Sequence, residues 1–188
     1  MDQSPQGRRG TVTPVRVTLA LALLAVLGAI VYAGGLFHRM PSDSELRNRF
    51  FQHESDFIKL VQMSDLDARV TLIRPNITYL DTDASWPRKD IGFSEDRWNE
   101  YRSLFHNLNI DGGVTRRTDY PSSVFINVYA SGGVLGSSDK GYAYSERPLT
   151  PAAKSLDVMP RDLYSKNKGH AVVFEPVAPN WYLFREEF

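Results

Sequence analysis

Val124–Glu146, VFINVYASGGVLGSSDKGYAYSE, is the stretch on which the fold turns. Its two ends, Val124 to Ala130 and Lys140 to Glu146, carry the β-branched and aromatic residues of strands. Between them lies a link of glycine and serine, and glycine tolerates the positive φ of tight turns. The reading is a hairpin. Further along, Ala171 to Glu175 and Trp181 to Arg185 flank Val177 to Asn180, where Pro179 marks the turn of a terminal hairpin. Strand pattern also covers Ala68 to Arg74, stopped by Pro75, then Ile77 to Leu80 and Val114 to Asp119. Side chains alternate along a strand, so Trp181 and Leu183 face one side while Tyr182 and Phe184 face the other. Both faces of the sheet therefore need cover.

Helical spacing precedes most of these strands. Ser42-Asp43-Ser44-Glu45 has the form of a capping box behind Pro41. Leu46, Phe50, Phe57, Leu60, Val61 and Met63 follow at near-helical intervals, predicting one helix that ends near Met63 or Ser64. His53 falls between Phe50 and Phe57 and reads as a packing histidine. Asp81 to Asp90 is polar and reads as a loop. Ser94 caps a second helix through Trp98, Tyr101, Phe105 and Leu108, with Asp111-Gly112-Gly113 as its stop. Pro148 to Lys168 reads as a long crossing loop. Helices first and strands afterwards predict an α+β domain, two helices packed on a mostly antiparallel sheet.

The chain has 188 residues, with 22 basic and 22 acidic, and no cysteine. That excludes a disulfide scaffold, a zinc-thiolate site, an iron–sulfur cluster and a cysteine nucleophile. Balanced charge argues against nucleic acid as a partner. The neutrality is a sum of unlike parts. Residues 1–16 form a basic tail with Arg8, Arg9 and Arg16 against Asp2. Residues 17–37, VTLALALLAVLGAIVYAGGLF, hold no charge over 21 positions. As a helix that run spans roughly 30 Å, the hydrocarbon thickness of a bilayer. It exceeds the usual signal-peptide core of about 7–15 residues and continues past the small-residue site Val31-Tyr32-Ala33. This favours an uncleaved signal anchor over a cleaved signal peptide. Residues 38–188 form the remaining domain, slightly acidic, with all the aromatics except Tyr32 and Phe37. The expected topology is single-pass, held by the lipid bilayer of the inner membrane. The tail is then cytoplasmic and the domain periplasmic or extracellular.

Chemistry is densest at the hairpin link, where Ser137, Ser138, Asp139, Lys140 and Tyr142 make a candidate ligand site. Its backbone N–H groups and Lys140 could cradle an anion. The pattern departs from a phosphate loop, because strand rather than helix residues follow Lys140. A plain turn is the competing reading. A hydrolase would use Ser137 or Ser138 as nucleophile with Lys140 or His170 as base, yet no G-x-S-x-G elbow occurs. The four histidines, His38, His53, His106 and His170, show no metal-ligand spacing. No catalytic residue, metal or cofactor is assigned.

Four segments resemble an uncharacterised group of small bacterial envelope proteins with an N-terminal membrane or lipid anchor. They are Met40 to Asp43, Arg97 to Phe105, Gly136 to Tyr142 and Asn180 to Phe184. The resemblance implies an envelope-facing domain and no particular activity. Lipid-anchored members carry a cysteine that this chain lacks, so the apolar helix would replace the lipid. The expected function is a membrane-anchored interaction or ligand-binding module with an envelope protein partner; the alternative is the envelope hydrolase.

Overall fold

The computed structural model describes residues 39–80, 83–85, 91–133, 136–160 and 169–188. The expected anchor, 17–37, lies outside the described residues. Among the described residues no helix is long and apolar enough to cross a membrane.

Residues 40–188 form one compact unit. Among the described residues it is an α+β domain with three helices on an eight-stranded antiparallel sheet. Helix α1 is Asp43–Gln52 and begins at the expected capping box. The Glu45 N–H donates to Ser42 Oγ at 3.3 Å, and the Ser42 N–H donates to Glu45 Oε2 at 2.6 Å. Helix α2 is Glu54–Leu66. The single helix expected over this stretch is thus two, broken at His53 (φ −132°, ψ 27°). The reason is in the core. Phe50 and Phe57 are seven residues apart, about 10 Å along an unbroken helix. Both are fully buried, and the break brings their ring centroids to 5.7 Å. His53 consequently sits half-exposed at the junction, its Nδ1 3.7 Å from Asp56, instead of packing in the core.

Helix α3 is Glu95–Leu108, capped by Ser94 Oγ, which accepts from the Arg97 N–H at 3.2 Å. It buries Trp98, Tyr101, Leu104, Phe105 and Leu108. Asn109 in the left-handed region (φ 55°) ends it, not the glycines that follow. Those glycines serve the sheet. A Cβ on Gly113 (φ +83°) would stand 2.1 Å from the carbonyl oxygen of Ile73.

The strands are β1 Leu72–Ile73, β2 Thr78–Leu80, β3 Asp83–Ser85, β4 Gly113–Arg116, β5 Ser123–Gly133, β6 Gly136–Ser145, β7 Ala171–Ala178 and β8 Trp181–Glu187. Their order across the sheet is β3-β2-β1-β4-β5-β6-β8-β7. Strand β3 falls inside the stretch that reads as a loop, because its pairing with β2 through Thr78–Ser85 and Tyr79–Ala84 is not visible in its polar composition. The hairpin β5–β6 forms as expected and runs further than expected. Pairing continues through Ser131–Ser138 and Gly132–Ser137 to Gly133–Gly136, so strand replaces most of the glycine-rich link.

Two cores result. Between helices and sheet lie Phe50, Phe57, Tyr142, Trp181 and Leu183, with the Phe57 and Tyr142 rings 4.4 Å apart. On the opposite face lie Phe125, Ala143, Leu149, Phe174 and Phe184. The Trp181/Leu183 and Tyr182/Phe184 alternation holds. The second face is covered by the chain's own loops: Tyr120 packs on Phe125 (5.4 Å) and Phe174 (5.5 Å), and Leu149 joins them.

Candidate functional site

Strand β6 distributes the five candidate residues of the hairpin over both sheet faces, because its side chains alternate. Lys140 and Tyr142 point under the helices. Lys140 is fully buried, with its Nζ 2.7 Å from Asp43 Oδ1 and 2.8 Å from Asp157 Oδ1. Asp43 Oδ2 also accepts from Ser155 Oγ at 2.6 Å and from the Leu156 N–H at 2.7 Å. Burial opposes ionisation of Asp43. The hydrogen bonds from Lys140, Ser155 and Leu156 outweigh it and hold the carboxyl below its ordinary range. This ion triad ties the start of α1 and the 155–157 segment to β6. Tyr142 donates from its hydroxyl to the Leu46 carbonyl at 2.7 Å, and burial pushes its ionisation up. Both residues are engaged in holding the fold.

Ser137 and Asp139 lie on the other face. Ser137 exchanges backbone hydrogen bonds with Phe188, whose ring stacks on His170 at 4.8 Å. Strand β8 separates β6 from β7, so Ser137 lies on a strand about 9–10 Å from the one that His170 immediately precedes. His170 Nε2 instead meets Glu186 Oε1 at 2.8 Å. Lys140 lies through the sheet from Ser137. The geometry therefore brings neither proposed base to Ser137. Ser138 shares the helix-side face with Lys140, and its Oγ is buried without a hydrogen-bond partner.

The second face carries a charged cluster that sequence reading does not single out. Arg117 grips Asp119 through Nε (3.0 Å) and Nη2 (2.6 Å) and also contacts buried Glu186. Its guanidinium lies 5.2 Å from the ring centroids of Tyr120 and of Phe125. The hydrogen bond from Arg117 holds the Asp119 carboxyl low against burial. Asp139 stands directly across the β6–β8 ladder from Glu186. Burial pushes the Asp139 carboxyl up, and Glu186 adds to it, while Arg74 and Arg117 pull the other way. Like charges opposite one another destabilise a sheet. Asp139→Asn is therefore expected to raise stability at pH 7 by about 0.2–1 kcal/mol. The sign follows from a carboxyl whose folded pKa lies above its unfolded value: ionising it on the way up in pH loses stability. The gain should shrink as pH falls toward the ordinary value of 3.8. Urea unfolding of the full chain in detergent micelles at stepped pH values measures it.

Concave surface also lies elsewhere, along the exposed side of α3. A cavity of about 780 Å³ is lined by Asn99, Arg102, Ser103, His106, Asn107 and Asp111, with Pro75 at one side. A second, about 350 Å³, is lined by Asn48, Arg49, Gln52 and His53 of the α1–α2 turn. The two meet at Asn107 and Asn109, which line both. Arg102 is held in place: its Nη1 donates to Asn99 Oδ1 at 3.3 Å, and its guanidinium stacks 5.3 Å from the Trp98 ring. Arg49 donates to the Leu108 and Asn109 carbonyls (3.4 and 3.2 Å), satisfying the end of α3. In the sequence, Asn99, Arg102, Ser103 and His106 follow the helical spacing i, i+3, i+4, i+7, the only local signal of this face. Alone it reads as a solvated side. A third cavity, about 400 Å³, lies on the second sheet face between Leu72, Tyr79 and Thr115 and the 116–119 segment.

Among the described residues no group of three His, Asp or Glu side chains is placed to hold a metal ion. Comparison with protein-family models, curated proteins and solved structures returns no match.

Proposed function

We propose that the chain is a single-pass membrane protein whose extracytoplasmic domain is an interaction or ligand-binding module. The observation that carries this is the polar groove along α3 and the α1–α2 turn. Its two open cavities share Asn107 and Asn109 as lining residues, and polar side chains of α1 and α3 make up most of their lining. Ligand sites are concave and hold a few convergent polar groups, as this one does. The uncharged run 17–37 supports the anchor. The envelope setting and a partner there belong to the same proposal.

Three measurements test it. Alkaline carbonate should leave the full chain in the membrane pellet and release a chain lacking 17–37; release of both would overturn the anchor. Protease added to intact spheroplasts should degrade the domain, and protection would overturn the topology. A photo-crosslinking residue at position 107 should give a discrete adduct in membranes that the same residue at exposed position 154 does not. Equal labelling from both positions would remove the groove from the proposal.

A further inference from the structure

Resting on that binding reading, we infer that the α1–α3 groove takes a neutral polyhydroxylated glycan chain. Five residues with carboxamide side chains line it, Asn48, Gln52, Asn99, Asn107 and Asn109, of which Asn99 already accepts from Arg102 through Oδ1. Each carboxamide sets a donor and an acceptor side by side. Neighbouring sugar hydroxyls, which donate and accept together, are its natural complement. A purely cationic site would select an anion, but here the charges balance. Arg49 and Arg102 share the groove with Glu45 and Asp111. Moreover, Nη1 of Arg49 is turned onto the backbone carbonyls of α3, and Arg102 lies over Trp98 with Nη1 on Asn99, so part of each guanidinium's donor set is already taken by the protein.

The apolar lining argues against a peptide. Peptide grooves capture side chains in apolar pockets. Phe105, Leu108 and Ile110 line these cavities, yet all three are buried at 3% exposure or less. They form a floor, and Pro75 at one side is the partly exposed apolar residue of the lining. Length matters too. From Asn99 to Asn109 the α3 surface runs about 15 Å at about 1.5 Å per residue, enough for several linked rings.

The test uses the full chain in lipid nanodiscs, titrated calorimetrically with chitotetraose, cellotetraose and a glycine–alanine tetrapeptide. The expected result is saturable binding of at least one oligosaccharide, weakened about tenfold by Asn107→Ala, as loss of a bidentate hydrogen-bonding group predicts. Lys154→Ala, an exposed site outside the groove, should bind as the parent does. Absence of saturable binding by both oligosaccharides overturns the inference. So does sugar binding that Asn107→Ala leaves unchanged. Tetrapeptide binding that Asn107→Ala abolishes, without sugar binding, overturns the glycan while leaving the binding module standing.

Discussion

Replacing Lys140 with methionine is expected to destabilise the domain by about 3–5 kcal/mol, the usual result of removing one partner from a buried ion pair. Lys140 is fully buried, and its ammonium stands between Asp43 and Asp157. Without it, two carboxylates face each other and Asp43 is left charged in the interior. The loss should show in urea unfolding of the full chain in detergent micelles, followed by the fluorescence of buried Trp98 and Trp181. Adding Asp43→Asn to the same chain should recover part of it, because the amide removes the orphaned charge and still accepts from Ser155 and Leu156. Equal stability of parent and Lys140→Met would show that the triad contributes nothing. The pH dependence has a definite sign. Asp43 and Asp119 both titrate below their ordinary range. A group with a depressed folded pKa contributes stability above its unfolded value, and that contribution is lost as pH falls through the folded one. The parent should therefore weaken below about pH 4, near the ordinary aspartate value. Lys140→Met should show less of that loss, since its Asp43 no longer has an ammonium to hold it ionised.

Gly141→Ala is expected to be as severe, at about 4 kcal/mol or more, because it forces a collision of backbone and Cβ. Gly141 pairs with Asn127 where the β5–β6 register shifts. A Cβ there would sit 2.0 Å from the Ile126 carbonyl oxygen and 2.9 Å from the Val128 nitrogen. Neither atom can move without opening the longest hairpin of the sheet. Gly92→Ala supplies the contrast. Gly92 has positive φ (+79°), but nothing lies within 4 Å of its added Cβ. Its cost should be only the left-handed strain of about 1–2 kcal/mol. Soluble yield and thermal unfolding of the two variants distinguish contact from conformation. Similar behaviour of both would remove the close approach as the reason for Gly141.

Local chemistry made much of the domain legible. Ser42 and Ser94 announce helix starts because a serine hydroxyl needs only an N–H three residues on. Trp181 to Phe184 reveal a sheet with two apolar faces because alternation is a property of a single strand. The break at His53 is not local. It follows from where Tyr142 and Trp181 place the cavity that Phe50 and Phe57 must share, with the Phe50 and Trp181 rings 5.1 Å apart. Gly112 and Gly113 mislead for the same reason: a glycine looks alike in sequence whether it ends a helix or, as here, lets one strand press against another, with a Cβ on Gly112 only 2.5 Å from that of Asn127 and Gly113 at positive φ.

The candidate site divides along that line. The hairpin link concentrates serine, aspartate and lysine, so composition points to it. Yet Lys140 finds Asp43 at the far end of the domain, and strand pairing sends Ser137 and Asp139 to the opposite face. The groove draws its polar residues from α1 and α3, each half of which reads as an ordinary wet helix side. By itself the sequence determined the α+β class, the serine caps that start α1 and α3, the two-faced hairpins and the expectation of an anchor, all of which depend on near neighbours. Only the tertiary structure decided that the lysine is a buried tie and that the concave surface lies on α3, because pairing and concavity arise between segments remote in the chain.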